Sequence, residues 1–168
     1  MTAAVLSGML ILGLAGCTQP EPAEPTPTPA FSIDEEAFAA AEKTYRAYVD
    51  ALNARHANAA ATPPPTDFLI GQALESELET QRVLAEQKRS IVGDAKMTRF
   101  AGTDFANDLG AVTAVACLDV SSSRVVDSEG TDVTPSDRPP VLALELVFVP
   151  IGAGLAVSES AVADDQTC

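Results

Sequence analysis

At Ser90 the apolar residues of this chain change their spacing, from about one helical turn to every second position, and that change limits the fold more than any other feature. Upstream of it, Phe38, Ala41, Tyr45, Tyr48, Val49 and Leu52 lie on one helical stripe, with Glu36, Lys43, Arg46 and Asp50 on the other side. Ser32 with Glu35 three residues later has the spacing of a capping box. Arg55 and His56 place positive charge at the far end of the helix, which fades across 57–61 before Pro63, Pro64 and Pro65 stop it. Thr66 and Asp67 can cap a short second turn as far as Ile70. A third helix is expected over 71–87, with Ile70, Ala73, Leu74, Leu78, Leu84 and Ala85 inward. Its acids Glu75, Glu77 and Glu79 come early and Arg82, Lys88 and Arg89 late, as the helix dipole favours.

Downstream of Ser90 the spacing predicts strands over 91–100, 111–124, 141–149 and 155–162. Turn chemistry separates them: Asn107-Asp108-Leu109-Gly110, Asp127-Ser128-Glu129-Gly130 and the stretch 150–154. Val112, Ala114, Ala116, Leu118 and Val120 share one face of the second strand; Leu142, Leu144, Leu146 and Phe148 share one face of the third. Helices first and antiparallel hairpins after give an α+β fold, two or three N-terminal helices packed on one curved antiparallel sheet of four to six strands. A chain of 168 residues has room for one such core, assigned to 32–168.

The N-terminal part has a different character. Residues 2–16 carry no charge, and their apolar run is shorter than the roughly 20 residues a membrane-spanning helix needs. The length suits the apolar region of a signal peptide, assigned to 1–16. Such a peptide ordinarily opens on Lys or Arg; their absence here places the expected initiator upstream of Met1. The run closes on Leu14, Ala15, Gly16 and Cys17. These four residues resemble the lipobox of bacterial lipoproteins, which implies that the Cys17 thiol receives a diacylglyceryl group and that the bond before it is cut. Two acyl chains hold a protein durably on a bilayer where one does not. Pro20, Pro22, Pro25, Pro27 and Pro29 follow, in a linker assigned to 17–31. Extended at ~3.1 Å per residue, its proline-rich part reaches roughly 40 Å. The expected location is the extracytoplasmic face of the cell membrane.

That compartment bears on the two other cysteines. Export exposes thiols to oxidation, and with Cys17 acylated an even pair is left, so a Cys117–Cys168 disulfide is expected. The chain has no CxxC pair and no Cys/His cluster, so neither a metal nor a cofactor is expected. With 10 Lys and Arg against 24 Asp and Glu, the net charge is −14. Such a surface has no cationic surplus with which to neutralise phosphates, which argues against nucleic-acid binding.

Three segments, 37–54, 112–127 and 132–139, are similar to a group of actinobacterial membrane lipoproteins with a nuclear transport factor 2-like domain. The resemblance implies a cone-shaped α+β fold. Proteins of that fold include ligand binders, isomerases, cyclases and interaction modules, so it assigns no site residue.

No nucleophilic triad is legible, since the single histidine, His56, sits at a helix end beside Arg55, and no catalytic residue is assigned. The acidic turn beginning at Asp127 lacks the later bidentate glutamate of a calcium loop and reads as a hairpin turn. The constellation to follow is Tyr45, Tyr48, Asp67 and Asp119, which would line a cone's cavity. A desolvated carboxylate beside a tyrosine donor there makes an acid–base enzyme of isomerase or cyclase type. The other reading has both tyrosines in the core and both aspartates in water; Asp119 alternates with Leu118 and Val120 and so falls, with Cys117, away from the apolar row. The balance favours a non-enzymatic ligand-binding or accessory lipoprotein that takes a small apolar ligand. A protein-interaction module, a homodimer through the open sheet face or a surface partner, is the third alternative.

Overall fold

The computed structural model describes residues 33–163 and 168. Leu14, Ala15, Gly16, Cys17 and the proline-rich linker lie outside the described residues. The elements are α1 (Asp34–Ala57), a 3₁₀ turn (Pro65–Phe68), α2 (Gly71–Glu86), β1 (Ser90–Val92), β2 (Lys96–Ala106), β3 (Ala111–Asp119), β4 (Arg124–Val126), β5 (Val141–Ile151) and β6 (Gly154–Val162). The class is α+β, as the change of period predicts.

Four strands form one antiparallel sheet in the order β2-β3-β5-β6, and β1 pairs with β4 in a separate two-stranded sheet. Register shifts at Met97/Arg99, Gly102/Asp104 and Val147/Phe148 add local twist, which bends the sheet around the helix that it holds. That helix is α1. Its buried residues Ala37, Ala41, Tyr45 and Val49 recur every four positions. They meet Val112, Ala114, Ala116 and Leu118 of β3, Leu146 and Phe148 of β5, and Val157 of β6 in one apolar core. Four of these residues are alanines, so the helix backbone lies close to the sheet. Phe38 settles over Gly102, where an added Cβ would stand 2.2 Å from its ring. Phe100 and Phe148 pack edge to face, with centroids 6.1 Å apart.

The structure corrects the sequence reading at four places. The helix cap is Ile33, with no side-chain cap hydrogen bond, rather than Ser32. The acids Asp34, Glu35 and Glu36 in the first turn complement the dipole there instead. The strand expected over 91–100 is two strands in two sheets, and so is the one expected over 111–124. Both breaks have one cause. Gly93, at φ +80°, leaves β1 against the Ser122 carbonyl, so a single long ribbon is folded into a short arm (β1, β4) and a long one (β2, β3). Arg138 secures the fold-over by donating to the carbonyls of Val120 and Ser123. Finally, α2 packs on the sheet as expected, but at its edge, and buries less of its apolar stripe than the spacing predicts. It runs beside the edge strand β6, with Ile70 N–H donating to the Val157 carbonyl at 2.9 Å. Of its expected apolar stripe only Ala73 is buried within the helix, and Leu78 is 49% exposed. No helix among the described residues is long and apolar enough to cross a membrane.

Candidate functional site

Because α2 sits at the sheet edge while α1 lies on the sheet, the two helices do not pack closely, and a gap remains between them. A cross-strut spans it. Arg55 Nη1, near the end of α1, donates to Glu77 Oε1 of α2 at 3.1 Å, and Gln81 Nε2 donates to the same oxygen at 2.8 Å. Both partners are largely shielded, so this ion pair is screened less than the surface pairs Arg46–Glu42 and Arg82–Glu79.

The strut divides the gap into two clefts that share Glu77 and Thr80. The inner one, about 140 Å³, is lined by Tyr45, Tyr48, Leu69, Ala73 and Val157 among others. The outer one, a groove of about 310 Å³, has an apolar wall of Leu52, Leu84, Ala85 and Ile91 and a polar rim of Arg55, His56 and Arg89. The His56 Nδ1 atom lies 3.2 Å from the Gly93 carbonyl, which ties the groove rim to the ribbon's kink.

Tyr45 and Tyr48 therefore come together as the sequence suggests, with ring centroids 5.7 Å apart. Burial pushes the Tyr45 hydroxyl far above the ordinary tyrosine value, and the neighbouring Tyr48 adds to it. Burial does the same for Tyr48, reinforced by the charge of Glu77 and opposed by Arg55. Both phenols are held neutral and can only donate as O–H or accept.

The two aspartates do not join them. Asp67 is exposed on the 3₁₀ turn. Asp119 closes β3, its Oδ1 accepting the Ser121 N–H at 2.9 Å. Hydrogen bonds from Ser121 hold its carboxyl below the usual range, opposite in sign to the shift a general base at neutral pH requires. The carboxylate near the tyrosines is instead Glu77, which the sequence reading took for dipole complementation. A signal for it was present: Glu77 and Gln81 stand on the same face as Ala73 and Leu84, polar residues interrupting an apolar stripe.

Cys117 and Cys168 are bonded, with Cα atoms 5.7 Å apart. Cys117 lies on the β3 face turned away from α1, in register with Ala143 of β5 and Arg99 of β2, so the bond is remote from both clefts. Among the described residues no cluster of His, Cys, Asp and Glu could hold a metal ion.

No family model matches this chain, and no curated protein does. Among solved structures, the chain is similar to the intermembrane space region of the chloroplast protein ARC6, at 15% identity over 71% of this chain and 94% of that one, with a TM-score of 0.45. It is also similar to a polyketide cyclase-like protein from Xanthomonas campestris pv. campestris, at 13% identity over 75% of this chain and 90% of that one, with a TM-score of 0.38.

Proposed function

We propose that this chain is a lipid-anchored extracytoplasmic binding protein, whose domain belongs to the nuclear transport factor 2-like class and takes a small, largely apolar ligand between α1 and α2. The observation that carries the ligand reading is the commitment of Glu77. Its Oε1 already accepts from Arg55 and Gln81, so the carboxylate in the gap is engaged as part of the strut between the helices. Asp67 and Asp119 stand elsewhere, and the two tyrosines are locked in the neutral form. An apolar wall with a few fixed polar groups is the usual make-up of a small-molecule site. Native mass spectrometry of gently purified protein is expected to find a non-covalent adduct that denaturation removes. Recovery of the bare chain alone, together with no saturable binding of an apolar fluorophore, would overturn the ligand reading.

Support for the anchor comes from the sequence: the short uncharged run, the Leu14-Ala15-Gly16-Cys17 junction and the proline spacer after it. Metabolic labelling with a fatty-acid analogue is expected to mark the wild-type chain and to leave Cys17→Ser unmarked. Equal labelling of the two, or none of the wild type, would sink the anchor.

A further inference from the structure

The outer groove sets cations against apolar surface in a chain that carries 24 acids and only 10 Lys and Arg. Arg55, Arg89 and His56 line it, with Glu77 as the carboxylate among its lining residues. Glu77 is satisfied by Arg55 and Gln81. Arg89 is exposed and has no ion-pair partner among the described residues. Two guanidinium groups against one carboxylate leave the lining one positive charge in excess, which matches a monoanion. A guanidinium fork also fits a carboxylate in two-point fashion. His56 donates from Nδ1 to the Gly93 carbonyl, which fixes the ring at the groove rim. The volume, about 310 Å³, holds about ten water-sized groups at ~30 Å³ each.

Resting on the reading of this groove as a ligand site, we infer that it binds a monocarboxylate amphiphile of about ten heavy atoms. The acid group is held by Arg55 and Arg89 with His56 beside them, and the chain lies on Leu52, Leu84 and Ile91. An acyl chain bearing an acidic head is also the chemistry of an anionic phospholipid, so the source of the ligand is a separate question from its class.

Both are resolved by nuclear magnetic resonance on the full chain, labelled with ¹⁵N and ¹³C, in phosphatidylcholine nanodiscs. Octanoate, of matching size, is expected to shift the Arg55 and Arg89 Nε–H signals and the Leu52, Leu84 and Ile91 methyls saturably. Octanol is expected to shift only the methyls, with affinity at least about tenfold lower, and added salt to weaken octanoate alone. Arg89→Gln is expected to lower octanoate affinity about tenfold and to leave octanol binding and the unfolding midpoint unchanged. Equal affinity for the two probes, or an Arg89→Gln variant that binds octanoate like wild type, overturns the acidic-head assignment and leaves the ligand groove standing. Binding of neither probe overturns both. In nanodiscs containing phosphatidylglycerol, undiminished octanoate binding supports the site with a free acid as its ligand. Competition by that lipid supports the same site with the membrane as the source.

Discussion

Reduction of the Cys117–Cys168 bond, or Cys117→Ser, is expected to lower the stability of the domain by about 4 kcal/mol at most, through loss of the constraint on the unfolded chain. The two cysteines are 51 residues apart in sequence, and the loop that they close contains β4, β5 and β6. Without the bond, the unfolded state regains the freedom of that whole loop. Among the described residues beyond β6, Ala163 N–H donates to the Ala143 carbonyl at 2.9 Å. For a domain whose total stability falls in the ordinary range of about 5–15 kcal/mol, this is a large share. Urea unfolding with and without reductant checks it. Coincident midpoints would show that the tether contributes nothing.

Gly93→Ala is expected to destabilise by about 3 kcal/mol, from two additive sources. The first is the left-handed backbone at φ +80°, which costs an L side chain roughly 1–2 kcal/mol. The second is steric: the new Cβ would stand 2.1 Å from the Ser122 carbonyl oxygen, a backbone atom held in the kink, and overpacking of this kind costs typically 1–3 kcal/mol. Gly130 supplies the control. It has nearly the same backbone angle, φ +82°, and nothing within 4 Å of its missing Cβ. Gly130→Ala should therefore carry the conformational part alone, about 1 kcal/mol. Denaturant midpoints for both variants measure the difference. If they fall equally, the contact with Ser122 is not what holds the ribbon in two arms.

That contact also explains why the sequence, read residue by residue, missed the break. Alternation reports which face a side chain occupies, and it continues without interruption from Val112 to Val120, all of whose inward members are buried. The ribbon folds because Gly93 meets Ser122, 29 positions away (122 − 93), and no local pattern encodes a meeting at that distance. The first helix was legible for the opposite reason: Ala37, Ala41, Tyr45 and Val49 recur every four positions, a regularity contained within one segment. α2 was legible as a helix that packs on the sheet, but not in how much of it is buried: Ala73 and Leu74 reach the core, whereas Leu78, on the same expected stripe, is exposed. The tyrosine pair was recoverable from helical spacing, whereas the strut was not: Arg55 and Glu77 are 22 residues apart on separate helices. Asp119 followed the alternation rule and faces away from the apolar row, so the rule that placed it was sounder than the cavity proposed around it.

The two walls of the groove differ in how they are held. One belongs to α1, whose Ala37 and Ala41 are fully buried in the core against the sheet. The other belongs to α2, which is held by Ala73, Leu74 and the Glu77 strut while Leu84 and Ala85 on the groove side are not buried. Substitutions along the second wall thus meet little resistance from the scaffold. The lining of the groove can therefore be varied on α2 without disturbing the architecture beneath it, and α2 is the element on which an engineer should build a library.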